Sequence, residues 1–311
     1  MVKRALLVGI NYKNTPYQLN GCINDVNNMA DFLKRSLGYE NKNIVMLTDD
    51  TLVKPTVANI LKGFDLLINL LQPGDEVFFQ YSGHGLRIPD YNRDEESGYD
   101  SAIAPIDFTS RGFISDDVIR TNLIQKVPRG AKLYVILDAC HSGTGCDLRY
   151  KYDDSSYLQQ NASVLPATYV PSEWALKQTT YEFKKYNKTD GEVYCISGCQ
   201  DHETSADAYI QNEKTFNGAL TYILLSLIKS NDVRSLKWKH LLKDICCNEK
   251  VQGYTQRTAI TSGNPLNMES AVFTLLPLVA APVKASITPL KRSKVTIKNK
   301  NIIMKKIFFM K

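Results

Sequence analysis

The chain has 311 residues, 43% of them apolar, an ordinary share for a globular protein with room for one large domain or two small ones and no need of disulfide staples. Its formal charge of +6 suggests a nucleic-acid binder until it is divided. Residues 279–311 hold nine Lys or Arg and no acid, leaving 29 basic against 32 acidic residues elsewhere, a balance of −3. No run approaches the roughly 18 apolar residues of a membrane span, and residues 5–10 are shorter than a signal-peptide core. Seven scattered cysteines fit a reducing compartment, so a soluble cytoplasmic or nuclear protein without membrane contact is expected.

Short Val-, Ile- and Phe-rich runs predict strands at 5–10, 43–47, 76–81, 132–137 and 193–196. Between the first two, Val26, Met29, Phe32, Leu33 and Leu37 share one helical face, and Val57, Ile60, Leu61, Phe64 and Leu67 repeat the pattern after the second. Further helices are expected around 118–124, 216–228 and 236–245. The alternation predicts an α/β protein with a largely parallel central sheet flanked by helices. Residues 148–191 lose the period and read as a long connection. The organisation expected is therefore a larger part at 1–147, a connection at 148–190, a smaller part at 191–278 and a basic low-complexity tail at 279–311.

Functional groups in such sheets collect beyond the carboxyl ends of strands. Two strands here run into reactive residues: Ser82-Gly83-His84-Gly85 follows the third, and Asp138-Ala139-Cys140-His141-Ser142-Gly143 follows the fourth. Alone, a Cys at a strand end is a small core residue and a His a structural one. Together they are a nucleophile and its activator, since a thiol is only a few per cent thiolate at pH 7 and needs a base or a positive charge beside it.

These two motifs resemble the histidine and cysteine motifs of metacaspases, the caspase relatives of plants, fungi, protists and bacteria. The stretch Gly21-Cys22-Ile23-Asn24-Asp25-Val26 resembles their N-terminal pocket motif, and Ile196-Ser197-Gly198-Cys199-Gln200-Asp201 with Thr204-Ser205-Ala206-Asp207 resembles their small-subunit motif. Four motifs in order cover residues 3–276. The resemblance implies a caspase-like (caspase-hemoglobinase) fold and a monomeric cysteine endopeptidase. Cys140 would be its nucleophile, His84 its base, and the amides of Gly85 and Cys140 its oxyanion donors. His141, adjacent to the nucleophile, points the other way in extended chain and is expected to be structural.

In the family, the positions matching Cys22, Asp25, Ser82 and Asp138 line the primary specificity pocket, where two carboxylates select Arg or Lys. Asp25 can equally cap a helix and Asp138 simply end a strand. Asp201, Ser205 and Asp207 offer either a second acidic wall or turn chemistry. Asp90, Asp94, Glu95, Glu96, Asp100, Asp107, Asp116 and Asp117 form an acidic stretch that is either solvated surface or an oxygen-only cation site. The resemblance implies calcium activation through Asp100, Asp116, Asp117 and Asp147. Cys195, Cys199, Cys246 and Cys247 could suggest zinc, but their places on a strand and a helix favour core filling.

The first strand begins almost at Met1, which resembles a type I metacaspase without its prodomain. Arg149, Lys151, Lys177, Lys184, Lys185 and Lys188 in the connection make self-processing an expectation, with a fragment of about 17 to 21 kDa at roughly 110 Da per residue. The substrates expected are proteins or peptides with Arg or Lys before the cut bond; nucleic acid is expected only at the basic tail. The competing readings are a catalytically silent scaffold for basic peptides and a small-molecule-binding α/β protein. The latter lacks GxGxxG after the first strand.

Overall fold

The structure is a computed structural model and describes residues 1–90, 98–139, 146–153, 179–182, 188–198, 207–210, 215–230, 232–251 and 258–273. Among the described residues thirteen strands run in chain order: β1 (Lys3–Gly9), β2 (Ile44–Thr48), β3 (Glu76–Ser82), β4 (Gly85–Pro89), β5 (Tyr99–Ile103), β6 (Ile114–Ser115), β7 (Lys132–Asp138), β8 (Tyr150–Asp153), β9 (Thr179–Glu182), β10 (Glu192–Ser197), β11 (Asp207–Ile210), β12 (Thr215–Gly218) and β13 (Ala259–Ser262). Six α-helices accompany them among the described residues: α1 (Cys22–Leu37), α2 (Val57–Ile68), α3 (Phe108–Arg111), α4 (Asp116–Asn122), α5 (Ala219–Ser230) and α6 (Trp238–Val251).

The main sheet has the order β2-β1-β3-β7-β10-β13-β8-β9. Its first five strands are parallel and are the five that the sequence predicts, each within two residues at either end. They are legible because helices cover both faces, so apolar residues run consecutively through each strand rather than alternating. Ala5 and Leu7 pack with α1, α5 and α6 on one side; Leu6 and Val8 pack with α2 on the other. Trp238 is fully buried in the first of these layers.

The antiparallel end departs from expectation. β13 runs against β10, and β8 and β9 continue the sheet beyond it, although both lie inside the stretch read as an unstructured connection. Tyr150 and Tyr152 face the core around a less buried Lys151, an alternation three residues long and too short to register as a pattern. A separate sheet, β4-β5-β6, follows His84 directly.

Close contacts fix α1 against the sheet. A Cβ on Gly9 would lie 2.4 Å from the Cys22 carbonyl oxygen and 2.8 Å from Val26 Cγ2, so the glycine lets the helix start rest on the end of β1. Helix α1 ends where Gly38 turns left-handed at φ 72° and returns its N–H to the Leu33 carbonyl. Thr56 caps α2 by accepting the Asn59 N–H, and Asp107 Oδ1 accepts the Val57 N–H at 2.9 Å, which accounts for one carboxylate of the acidic stretch.

Candidate active site

Strands β3 and β7 are paired in parallel from Glu76↔Lys132 to Ser82↔Asp138, so their carboxyl ends lie abreast. His84 follows two residues after Ser82. Cys140 follows two after Asp138 and, with His141, lies outside the described residues, as do Asp94, Glu95, Glu96, Cys199, Asp201 and Ser205.

Backbone and side chain both hold His84. Its Nε2 is 2.8 Å from the Tyr17 carbonyl oxygen. A carbonyl only accepts, so Nε2 carries the hydrogen and Nδ1 is the nitrogen left for proton exchange. The imidazole lies 4.8 Å from the Tyr12 ring at 36°. The His84 N–H donates to Tyr12 Oη at 3.1 Å, while its carbonyl accepts from Tyr81 Oη at 2.8 Å and from the Ala104 N–H at 3.1 Å. Sequence reasoning gave no role to Tyr12, Tyr17 or Tyr81. For Tyr81 the available signal was a hydroxyl within the largely apolar run of β3, since a buried phenol needs a partner; Tyr17 acts through its carbonyl, which residue type does not reveal.

The expected pocket residues converge. Asp25, Ser82, Asp138 and Cys22 are all buried, Asp25 completely. The Ser82 hydroxyl donates to Asp25 Oδ2 at 2.5 Å, and the Gly218 N–H donates to both Asp25 oxygens at 2.9 and 3.0 Å. The Thr221 N–H, in the first turn of α5, donates to Asp138 Oδ2 at 2.8 Å. Thus Asp138 serves the start of α5, and Asp25 reaches across to β12 rather than capping its own helix. A Cβ on Gly218 would lie 2.3 Å from Asp138 Oδ2 and 2.8 Å from Asp25 Oδ2, so this glycine sits between the two acids. Of the second acidic wall, Asp207 begins β11.

Asp100, Asp116 and Asp147 are buried near one another, and Asp117 is half-buried beside them. Asp116 Oδ2 accepts the Ser101 N–H at 2.9 Å and its Oδ1 the Asp117 N–H at 3.0 Å. Burial, with the Asp147 and Asp100 carboxylates close by, pushes the Asp116 carboxyl up to about 9 against its two N–H donors. Asp147 has a φ of 45°, and its carbonyl accepts from the buried Arg120 guanidinium. Among the described residues no three His, Cys, Asp or Glu side chains converge closely enough to hold an ion. Cys195 fills the core of β10, while Cys246 and Cys247 lie half-buried on α6.

The family model for the metacaspase peptidase C14 domain matches residues 3–149, the part that carries α1, β3, His84 and β7. Metacaspase-1A of Aspergillus oryzae is 36% identical over 85% of this chain and 68% of its own length. The chain belongs to the metacaspase family. Metacaspase-1A of Aspergillus terreus is 35% identical over 86% of the chain and 72% of its length, and metacaspase-1 of Botryotinia fuckeliana 36% over 85% and 68%. The crystal structure of protein GSU0716 from Geobacter sulfurreducens superimposes with a TM-score of 0.60 at 22% identity, covering 89% of this chain and all of that one. That likeness concerns the fold, which is the caspase-like α/β arrangement expected. As a metacaspase the chain is a caspase-like cysteine endopeptidase acting on protein substrates. Among the described residues no helix is long and apolar enough to cross a membrane.

Proposed function

We propose that this metacaspase cuts after Arg or Lys with Cys140 as nucleophile and His84 as proton carrier. The observation that carries the proposal is the β3–β7 register: both residues follow the same rung, Ser82↔Asp138, by two positions on neighbouring parallel strands. Cys140 adds to the scissile carbonyl, and the amides of Gly85 and Cys140 take the oxyanion, each such donor supplying about 3 kcal/mol when preorganised. One rung before Gly85, the Ala104 N–H points to the His84 carbonyl; antiparallel rungs alternate, so the Gly85 N–H is directed to the open edge of β4. Collapse breaks the C–N bond as His84 protonates the leaving amine. His84 then takes a proton from the water that hydrolyses the thioester.

Basic specificity rests on Asp25 and Asp138 meeting near Gly218 at the end of the same strands. The Ser82, Gly218 and Thr221 donors are dipoles, and a guanidinium would bring a full positive charge with matching N–H donors to this pair of buried acids. Calcium is the proposed activator. The donor set is oxygen-only, which suits this hard cation, and Asp100, Asp116, Asp117 and Asp147 would hold it; bound there, it would neutralise acids that burial disfavours. Binding has to draw those side chains together.

Self-processing is proposed at the basic residues of the connection. Lys151 is paired on both sides, with Thr261 and Tyr181, so its backbone is engaged, whereas Lys188 is exposed. The exposed Lys188 therefore supports the proposal better than Lys151, and Lys177, Lys184 and Lys185, which lie outside the described residues, stand beside it as proposed cut sites.

The deciding experiment treats the purified chain and its Cys140→Ala variant with a peptidyl-arginine chloromethyl ketone and maps the label. Label on Cys140, together with turnover of Arg but not Asp peptides, is expected. Equal turnover of Arg and Asp peptides, or label elsewhere with activity retained by Cys140→Ala, overturns the reading.

A further inference from the structure

The two buried tyrosines under His84 do more than fill the core. Where β4 meets β5, one rung of the ladder is intact: the Ala104 N–H donates to the His84 carbonyl at 3.1 Å. Its reciprocal rung would join the His84 N–H to the Ala104 carbonyl. Instead Tyr12 Oη stands between them, accepting from the His84 N–H at 3.1 Å and donating to the Ala104 carbonyl at 2.6 Å. The second phenol, Tyr81 Oη, lies 2.9 Å from the first and reaches the His84 carbonyl at 2.8 Å, the Ala104 carbonyl at 3.1 Å and the Ala104 N–H at 3.2 Å. Both rings are fully buried, and burial raises both phenols further above their ordinary range, so they stay neutral hydrogen-bonding groups.

We infer that Tyr12 and Tyr81 are positioning residues for catalysis, a phenol pair wedged into the β4–β5 ladder that sets where the His84 imidazole and the Gly85 amide stand. This inference rests on the Cys140–His84 reading. The pair grips both backbone groups of His84, and the Tyr12 ring lies against the imidazole itself. Because the His84 carbonyl and the Gly85 N–H belong to one planar peptide, holding the carbonyl also aims the amide. Gly83 is part of the arrangement: a Cβ there would fall 2.6 Å from Tyr81 Oη and 3.0 Å from Tyr12 Oη, so only glycine lets both hydroxyls sit beneath the turn. Without the Tyr12 hydroxyl the His84 N–H and the Ala104 carbonyl face each other across a gap. Buried polar groups close such gaps by moving, here by zipping the rung shut and drawing His84 toward β5.

The test uses Tyr12→Phe, Tyr81→Phe and the double variant of the full chain, each counted by active-site titration so that only folded, labelled centres enter kcat. Two substrates are compared, a peptidyl-arginine amide and the matching activated ester. Acylation by the amide needs His84 to protonate a poor leaving group; acylation by the ester does not. Expected is a fall of about tenfold or more in kcat/KM for the amide beyond any fall for the ester, in line with the 10²–10⁴ that general acid catalysis contributes. Loss of stability alone lowers the number of titrated centres and leaves the amide-to-ester ratio unchanged, and an unchanged ratio in all three variants overturns the inference. A wild-type chain that neither labels at Cys140 nor turns over either substrate instead overturns the dyad reading beneath it.

Discussion

Gly218→Ala is the substitution whose cost the structure sets most directly. The new methyl would stand 2.3 Å from Asp138 Oδ2, 2.6 Å from its Cγ and 2.8 Å from Asp25 Oδ2, all inside the closest approach real Cβ atoms make. Both carboxylates are buried, so neither can swing into solvent without giving up its partners. Overpacking of this kind costs about 1–3 kcal/mol, and weakening the Gly218 N–H bonds to Asp25 removes a charge-assisted interaction worth roughly 1.5–3 kcal/mol. The two overlap, so a loss of about 3 kcal/mol is expected, or a fall in Tm of roughly 6–12 °C for a domain of this size. Thermal unfolding by circular dichroism measures it, with kcat/KM on an arginine peptide read alongside and expected to fall through a raised KM. Asp138→Ala removes the two closest atoms the methyl meets and leaves only Asp25 Oδ2, so Gly218→Ala added to it should cost less than in the wild-type chain. A Tm within about 2 °C of wild type for Gly218→Ala, or full additivity of the pair, would refute the placement of this glycine between two acids.

Asp116→Asn should raise the stability of the metal-free chain at pH 7 by about 2 kcal/mol, measured by urea unfolding. The sign follows from a carboxyl raised from 3.8 to about 9 in the folded chain: the native state binds the extra proton, so stability falls as pH climbs between those values, and the variant flattens that slope. An unchanged slope would mean that the acid is not held neutral by burial. His84→Ala should cut peptide turnover by several orders of magnitude while His141→Ala keeps substantial activity, since nucleophile and base act as one unit; the reverse outcome in folded protein would reassign the base. Calcium in the micromolar to millimolar range should activate the enzyme and trigger cleavage to a fragment of about 19–21 kDa, at roughly 110 Da per residue, that Cys140→Ala does not yield. Full activity in excess chelator, or new N-termini that do not follow Lys or Arg, would count against the calcium and self-processing proposals.

The parts of the fold that read directly from the sequence are those where burial is complete. β1, β3 and β7 carry apolar side chains on both faces, and α1 and α2 repeat theirs at helical spacing, so composition and period agree. β13, with Ala259-Ile260-Thr261-Ser262, and β4, with Gly85-Leu86-Arg87-Ile88-Pro89, are short and lack a sustained run of β-branched residues, and their pairing is set by partner strands rather than by their own pattern. The candidate site divides the same way. Side-chain chemistry at a strand end marked His84, and the family resemblance marked Asp25, Ser82 and Asp138. Several of the groups that hold them are backbone atoms, of Tyr17, Gly218 and Thr221, and a main-chain amide or carbonyl leaves no trace in residue type.

The pairing of β8 with β9 has a consequence for protein engineering. Its register sets Asp153 opposite Thr179, so the 25 residues between them leave and rejoin the sheet at one place. Lengthening a connection whose ends are already fixed costs little, about 0.6 kcal/mol for each doubling. A guest domain whose own termini lie close together could be spliced between 154 and 178 without asking any strand of the sheet to move. The host would then report on its guest through an assay it already performs.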